Sequence, residues 1–156
     1  MATNSIAVKD EFGIWSQSKT RVTGLLNGAA GLAGRVLFSF LFIMGAPGHF
    51  SKPTIAHAAS QGVPLASIAV PLSGLLALAG GLSILLGYRA RLGGWVIVLF
   101  LLPVTLMMHR FWGIADPATA QLQQIMFWKN ISLIGGALLI TQFGAGSLSL
   151  DARSRD

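Results

Sequence analysis

Four long apolar stretches, almost free of charged side chains, dominate this sequence. They cover residues 35–50, 65–88, 92–110 and 128–150, and apolar residues from Leu25 onward can lengthen the first. A helix that crosses the hydrocarbon core of a bilayer needs roughly 20 mostly apolar residues. The second and fourth stretches reach that length alone, and the first and third reach it with their flanking residues. The pattern predicts an all-α integral membrane protein, a four-helix bundle.

The composition agrees with a membrane location and removes several kinds of chemistry. Hydrophobic residues make up 53% of the chain and charged residues 10%, whereas soluble domains carry about 25% charged residues. Cysteine is absent, which excludes disulfide exchange, thiolate metal sites, thiolate-ligated iron–sulfur clusters and c-type haem attachment. The net charge of +6 does not indicate nucleic acid as a partner, because the basic residues are scattered along the chain.

The connections between the stretches differ in length. Only residues 88–91, preceded by Gly87, separate the second stretch from the third, which predicts a tight antiparallel hairpin in which the glycine ends the helix. Residues 51–64 and 113–127 form longer connections, and Asp116-Pro117 in the second is a turn or helix-start signal.

This organisation divides the chain into three parts. Residues 25–150 form the membrane domain, and residues 151–156 form a short tail. Residues 1–24 are an amino-terminal segment with two open readings, an interfacial helix on anionic lipid or disorder as far as about Thr20.

The lysines and arginines predict the orientation of the chain. Eight lie on the side that holds the chain ends and the tight hairpin, and three lie on the other side. The eight are Lys9, Lys19, Arg21, Arg35, Arg89, Arg91, Arg153 and Arg155, and the three are Lys52, Arg110 and Lys129. Because basic residues are enriched in cytoplasmic segments, both termini are predicted to be cytoplasmic.

The polar and aromatic side chains gather on the opposite, outer side. Histidine, arginine and tryptophan can bind a quinone head group, since they offer hydrogen-bond donors and flat apolar walls. The alternative is ordinary anchoring, because tryptophan, arginine and lysine are typical of any membrane interface. The candidate ligand-binding residues of an outer-face pocket are His49, His109, Arg110, Trp112, Lys129 and Asn130.

The sequence offers few residues for metal, haem or nucleophilic chemistry. Haem ligation by His49 and His109 is disfavoured, since neither has a second histidine at helical spacing, and no cluster of histidines and carboxylates predicts a metal site. The only acidic residue outside the two tails is Asp116, so a nucleophilic triad lacks its orienting carboxylate. No catalytic residue is assigned, and whether the protein is an enzyme stays open.

Glycines recur within the predicted spans, as in Gly80-Gly81, Gly93-Gly94 and Gly135-Gly136. Small residues let helix backbones approach closely in lipid. They can serve packing within the bundle or a surface for a partner subunit, and packing within the bundle is favoured.

Several short motifs, in order along the chain, resemble those of the DoxX family. They are Arg35 with the run 42–50, the run 80–91, the run 108–112, the run 124–136 and the closing turn 145–151. The resemblance implies a multi-pass protein of a bacterial inner membrane, linked either to quinone-dependent sulfur-oxidation and oxidative-stress complexes or, in distant relatives, to trafficking and chaperoning. Ala77 stands where many members carry a glutamate, so no proton-coupled role carries over to that position.

Two functions of different class follow from the residues and the resemblance together. The favoured hypothesis is a small subunit of a quinone-linked oxidoreductase or respiratory complex, without catalysis of its own. The alternative is a non-redox assembly factor or chaperone, or a protein that binds a lipid-like small molecule. Expected partners are membrane lipids and a larger membrane complex, and a homo-oligomer is also open.

Overall fold

All regular structure in the described part of the chain is helical. The computed structural model describes residues 4–153, and it describes side chains from residue 22 onward. The elements are α1 (Asn4–Gly45), a 3-10 helix (Ala46–Phe50), α2 (Lys52–Ser60), α3 (Ala66–Leu86), α4 (Ala90–Met108), α5 (Pro117–Phe143) and α6 (Leu150–Arg153). The predicted all-α fold is confirmed. The backbone is helical from Asn4, and the apolar side chains expected to lie on lipid before residue 22 fall outside the described residues.

Four helical segments are long and apolar enough to cross a membrane. They are Val22–Phe50, Ala66–Leu86, Ala90–Met108 and Pro117–Phe143, with mean hydropathies of 1.7, 2.1, 1.9 and 1.2. The number of predicted spans is therefore confirmed. The first span gains its length from the upstream apolar residues, as expected.

The fourth span departs from the prediction at both ends. α5 begins at Pro117, well before residue 128, because Asp116 caps its first turn: the Thr119 N–H donates to the Asp116 carboxylate at 2.9 Å. Proline is favoured in this position because the first turn leaves its N–H groups unpaired. The helix ends before Gly144, which takes a left-handed φ of 78°, and so it does not reach residue 150. The helix-start reading of Asp116-Pro117 is confirmed.

The connection 51–64 holds a helix that the sequence analysis did not predict. Ser51 caps α2 by accepting a hydrogen bond from the Thr54 N–H at 3.4 Å. The helix then buries Ala58 against Ala66 and Val70 of α3. α2 therefore covers one end of the bundle instead of leaving it to a loose loop.

The spanning helices pack in chain order. α3 packs on α1 and on α4, and α4 packs on α5, whereas α1 and α5 meet only sparsely. Glycine makes the closest approach possible where α3 crosses α4: a Cβ built on Gly80 would lie 2.8 Å from the Ile97 side chain and 3.2 Å from the Gly93 carbonyl oxygen. This contact confirms that the paired glycines of α3 and α4 serve packing within the bundle. The core around it includes Phe42, Ala77, Ile84, Ile97, Phe100, Leu101 and Ala137.

At the hairpin end of the bundle, a buried arginine joins three parts of the chain. Arg35 on α1 is only 4% exposed. Its guanidinium donates to the carbonyl oxygen of Leu85 at 3.3 Å and to that of Leu148. Two helices and the carboxyl segment are thereby held together through their backbones.

Asp151 completes this junction from the carboxyl segment. Its carboxylate accepts hydrogen bonds from the N–H groups of Arg89 at 2.7 Å and Ala90 at 3.0 Å, which begin α4. Its own N–H donates to the Gly87 carbonyl oxygen at 2.8 Å. Since the first N–H groups of a helix have no partners within it, a carboxylate placed here stabilises the helix start.

Replacing Asp151 by alanine is expected to lower the free energy of unfolding by about 1–2 kcal/mol, because two capping hydrogen bonds to a charged acceptor are lost. Thermal unfolding of the purified protein in detergent, followed by circular dichroism, measures the change. The matched control is Arg153→Ala, which removes an exposed charge two residues away. Equal stability of the two variants would contradict the capping role.

Candidate functional site

A cavity of about 480 Å³ lies at the end of the bundle opposite the 87–91 hairpin. We call it the histidine cavity. Its polar lining consists of His49, Thr54, His57, Ser73, His109 and Gln123, and its remaining walls are alanine, valine, proline and methionine. A volume of this size falls within the range of small-molecule sites, which are mostly apolar with a few polar groups that orient the ligand.

His49 is positioned by the turn that ends the first span. It lies in the 3-10 helix after α1, where Nδ1 is 3.2 Å from the Gly45 carbonyl oxygen. Its ring also lies edge-on to Phe100, with 5.7 Å between the ring centres. Gly74 on α3 makes room for it, since a Cβ built there would lie 2.6 Å from His49 Cβ. The ring is therefore fixed from three sides.

His109 is positioned by the end of α4 and by α5. The residue is the cap that follows Met108, and its Nδ1 lies 2.9 Å from Gln123 Oε1. Because an amide oxygen only accepts hydrogen bonds, Nδ1 donates here, and in the neutral ring Nε2 is then the acceptor. The pairing with Gln123 needs α5 to begin early, so the longer fourth helix contributes directly to the site.

A second, smaller cavity of about 220 Å³ lies nearer the bundle core and shares wall residues with the first. His49 and His109 line both cavities, and Lys129 and Asn130 line the smaller one. Asn130 is buried, whereas Lys129 is exposed and its Nζ lies 3.4 Å from Met126 Sδ. Four of the six candidate residues are thus brought together around two neighbouring cavities.

Arg110 and Trp112 do not line either cavity. Arg110 instead donates to the Gln61 carbonyl oxygen at 3.3 Å, which ties the end of α2 to the loop after α4. Trp112 contacts the rings of Phe111 and Phe127, at 5.3 and 5.9 Å between ring centres. This aromatic cluster continues to Trp128 and has the composition of a membrane-interface belt.

His57 and Gln123 are lining residues that the sequence analysis did not select. His57 was missed because α2 was taken for a loop, and Gln123 because α5 was expected to start after it. The capping signals at Ser51 and Asp116 were the available clues to both helices.

The cavity linings contain hydrogen-bonding groups and one cation but no carboxylate. Within the described residues, histidines and acids form no cluster of three that could hold a metal ion. Asp116 lies outside the cavities and caps α5. The Thr119 hydroxyl and, to a smaller extent, the Thr119 N–H donate hydrogen bonds to its carboxylate, and these lower the pKa of the Asp116 carboxyl. The arrangement is suited to binding an apolar group that carries a hydrogen-bonding atom.

Comparison with known proteins identifies the chain's relatives. The family model described as the SURF4 family matches residues 16–156. Inner membrane protein YqjF of Escherichia coli (strain K12) is 31% identical over 122 residues, which are 77% of this chain and 88% of that protein. Inner membrane protein YphA of the same strain is 29% identical over 118 residues, 76% of this chain and 80% of that protein. No solved structure matches the chain.

A eukaryotic relative is matched over a smaller part. ER-derived vesicles protein ERV29 of Saccharomyces cerevisiae is 27% identical over 81 residues, which are 52% of this chain but only 26% of that protein. The expected membership of the DoxX family is wrong, because the family match is to SURF4. The motifs were not specific to the DoxX family. Glycines within spans and basic or aromatic residues at span ends are common in small membrane bundles, because they allow close helix packing and anchor the ends of the helices at the interface.

Replacing Gly74 by valine is expected to lower the free energy of unfolding by about 1–3 kcal/mol, because the added side chain collides with His49 and forces the 3-10 helix to move. Thermal unfolding in detergent measures the loss. Gly48→Ala is the control, since a Cβ at Gly48 meets nothing within 4 Å. A Gly74→Val protein as stable as wild type would show that His49 is not fixed by α3.

Proposed function

This chain belongs to the SURF4 family, and we propose that it acts as a membrane receptor or chaperone that binds an apolar segment of a client protein in the histidine cavity. The observation that carries the proposal is the cavity itself, a partly open space of about 480 Å³ with apolar walls and a few hydrogen-bonding groups. Apolar client side chains would enter the cavity, and His109 Nε2 or the Ser73 hydroxyl, which both belong to residues of its lining, would meet polar backbone groups.

The relatives support this non-redox hypothesis better than the quinone-linked one. The matched proteins are named as inner membrane proteins, as an ER-derived vesicles protein and as a surfeit locus homologue, and these names mention no oxidoreductase. The redox hypothesis also depended on Arg110 and Trp112, which lie away from the cavities. A place in a larger complex and a homo-oligomer stay predictions.

A lipid-like small molecule is the second candidate ligand. It is favoured by the same cavity, whose volume suits a compact apolar molecule. The two candidates differ in the size of the bound species, and this difference can be measured directly.

Photo-crosslinking tests the proposal in native membranes. A benzophenone amino acid is placed at Met107, which lines the histidine cavity, or at Leu99, which is 61% exposed on the same helix and serves as the control. We expect the probe at Met107, but not at Leu99, to give polypeptide adducts. Adding Ser73→Phe fills the cavity and should reduce these adducts at least about fivefold, as loss of an enclosed apolar site predicts.

The size of the adduct distinguishes the candidates. Adducts of only a few hundred daltons that disappear in the Ser73→Phe variant would show that the cavity binds a lipid-like molecule and not a client protein. Polypeptide adducts that Ser73→Phe leaves unchanged would contradict binding in the cavity.

We further propose that the protein is a multi-pass protein of a bacterial plasma membrane, with cytoplasmic termini and the histidine cavity on the outer side. The excess of basic residues at the hairpin end supports this orientation. Fusions expressed in Escherichia coli test it: alkaline phosphatase joined after Gly113 should be active, and joined after residue 156 inactive. The reverse pair of activities would overturn the orientation.

A further inference from the structure

The bundle is open on one side, between α1 and α5. A groove of about 400 Å³ lies there, toward the hairpin end, and we call it the lateral groove. It faces the membrane, because the apolar side chains beside it are largely uncovered: Leu139 is 60% and Phe143 75% exposed. It is separate from the histidine cavity and shares no lining residue with it.

The floor of the lateral groove on α1 is made of glycine. A Cβ built on Gly31 or Gly34 would meet nothing within 4 Å, so these glycines do not serve packing within the bundle. They leave a smooth channel whose other wall includes Leu139, Ile140 and Phe143. The groove continues from there toward the bundle centre along Phe38 and Gly136, where an extended hydrocarbon chain can lie in van der Waals contact.

The groove ends at positive charge. Arg35 lines it and is 4% exposed, yet its Nε has no hydrogen-bond partner in the described part of the chain. A second arginine stands beside this end: Arg91 is exposed, and a Cβ built on Gly144 would lie 3.5 Å from its Nε. No acidic residue lines the groove.

A buried donor without an acceptor is costly, and in lipid no water can supply one. A phosphate oxygen at the groove end would give Arg35 Nε an acceptor and would also meet the Arg91 guanidinium, since arginine binds phosphate through several N–H groups. A second copy of this chain fits less well. Two copies joined symmetrically through this face would bring like charges together.

We propose that the lateral groove binds one anionic phospholipid, with the phosphate at Arg35 and Arg91, an acyl chain that runs toward the bundle centre along Phe38 and Gly136, and Gly31 and Gly34 leaving room for the headgroup. Charge complementarity and the glycine floor select this occupant. The site is independent of the histidine cavity, so its failure would leave the proposed receptor function untouched.

Native mass spectrometry of the full-length protein in detergent tests the proposal. The protein is mixed with palmitoyl-oleoyl phosphatidylglycerol or with palmitoyl-oleoyl phosphatidylcholine, and the fraction that retains one lipid is measured. Both lipids carry the phosphate, but phosphatidylcholine also carries a choline cation that the two arginines repel, so phosphatidylglycerol is expected to bind about tenfold more tightly.

Two variants test the space in the groove and its charge separately. Gly34→Leu fills the open space beside α1, and Arg91→Gln removes the surface charge; each should reduce phosphatidylglycerol binding about fivefold or more. Gly135→Leu is the control for the first, since a Cβ at Gly135 also meets nothing within 4 Å but the residue does not line the groove. Lys52→Gln controls for the second, because it removes a positive charge outside the groove lining.

Three results would overturn the proposal. The first is equal retention of the two lipids by the wild-type protein. The second is Gly34→Leu binding phosphatidylglycerol as well as Gly135→Leu does. The third is a wild-type dimer that Gly34→Leu dissociates, which would make a second copy of the chain the occupant of the groove.

Discussion

The bilayer makes a buried polar group without a partner costly, and one junction at the hairpin end pairs several such groups within the chain. Arg35 brings a positive charge into the hairpin end of the bundle, where its guanidinium donates to carbonyl groups of Leu85 and Leu148. Asp151 satisfies the N–H groups that begin α4. Since the same few residues fix α1, the hairpin and the carboxyl segment, the order of the helices depends on this junction.

The two ends of the bundle are built differently because their connections differ. The hairpin end is closed by a short turn and by the returning carboxyl segment. The opposite end has two long connections, and α2 and the first turns of α5 cover it without filling it. The histidine cavity is the space left between them.

Hydropathy predicted the four spans because burial in lipid leaves a simple signature in the sequence. It failed for α2 and for the start of α5, since these are set by capping at Ser51 and Asp116 and not by apolar length. The candidate site was likewise predicted only in part. His49 and His109 could be placed at one depth because each ends a span, whereas Arg110 and Trp112 are equally close in sequence but turn to α2 and the aromatic cluster.

The glycines were predicted as one group, yet the structure separates them into two. Gly80 and Gly93 lie where α3 and α4 touch, and no larger residue fits there. Gly31 and Gly34 have open space beside them, although alanine or leucine would favour a helix at the same positions. Packing explains the first pair and cannot explain the second. Occupation of the groove in the membrane gives the open space beside Gly31 and Gly34 a physical reason, and the unpaired donor of Arg35 favours an occupant that carries negative charge.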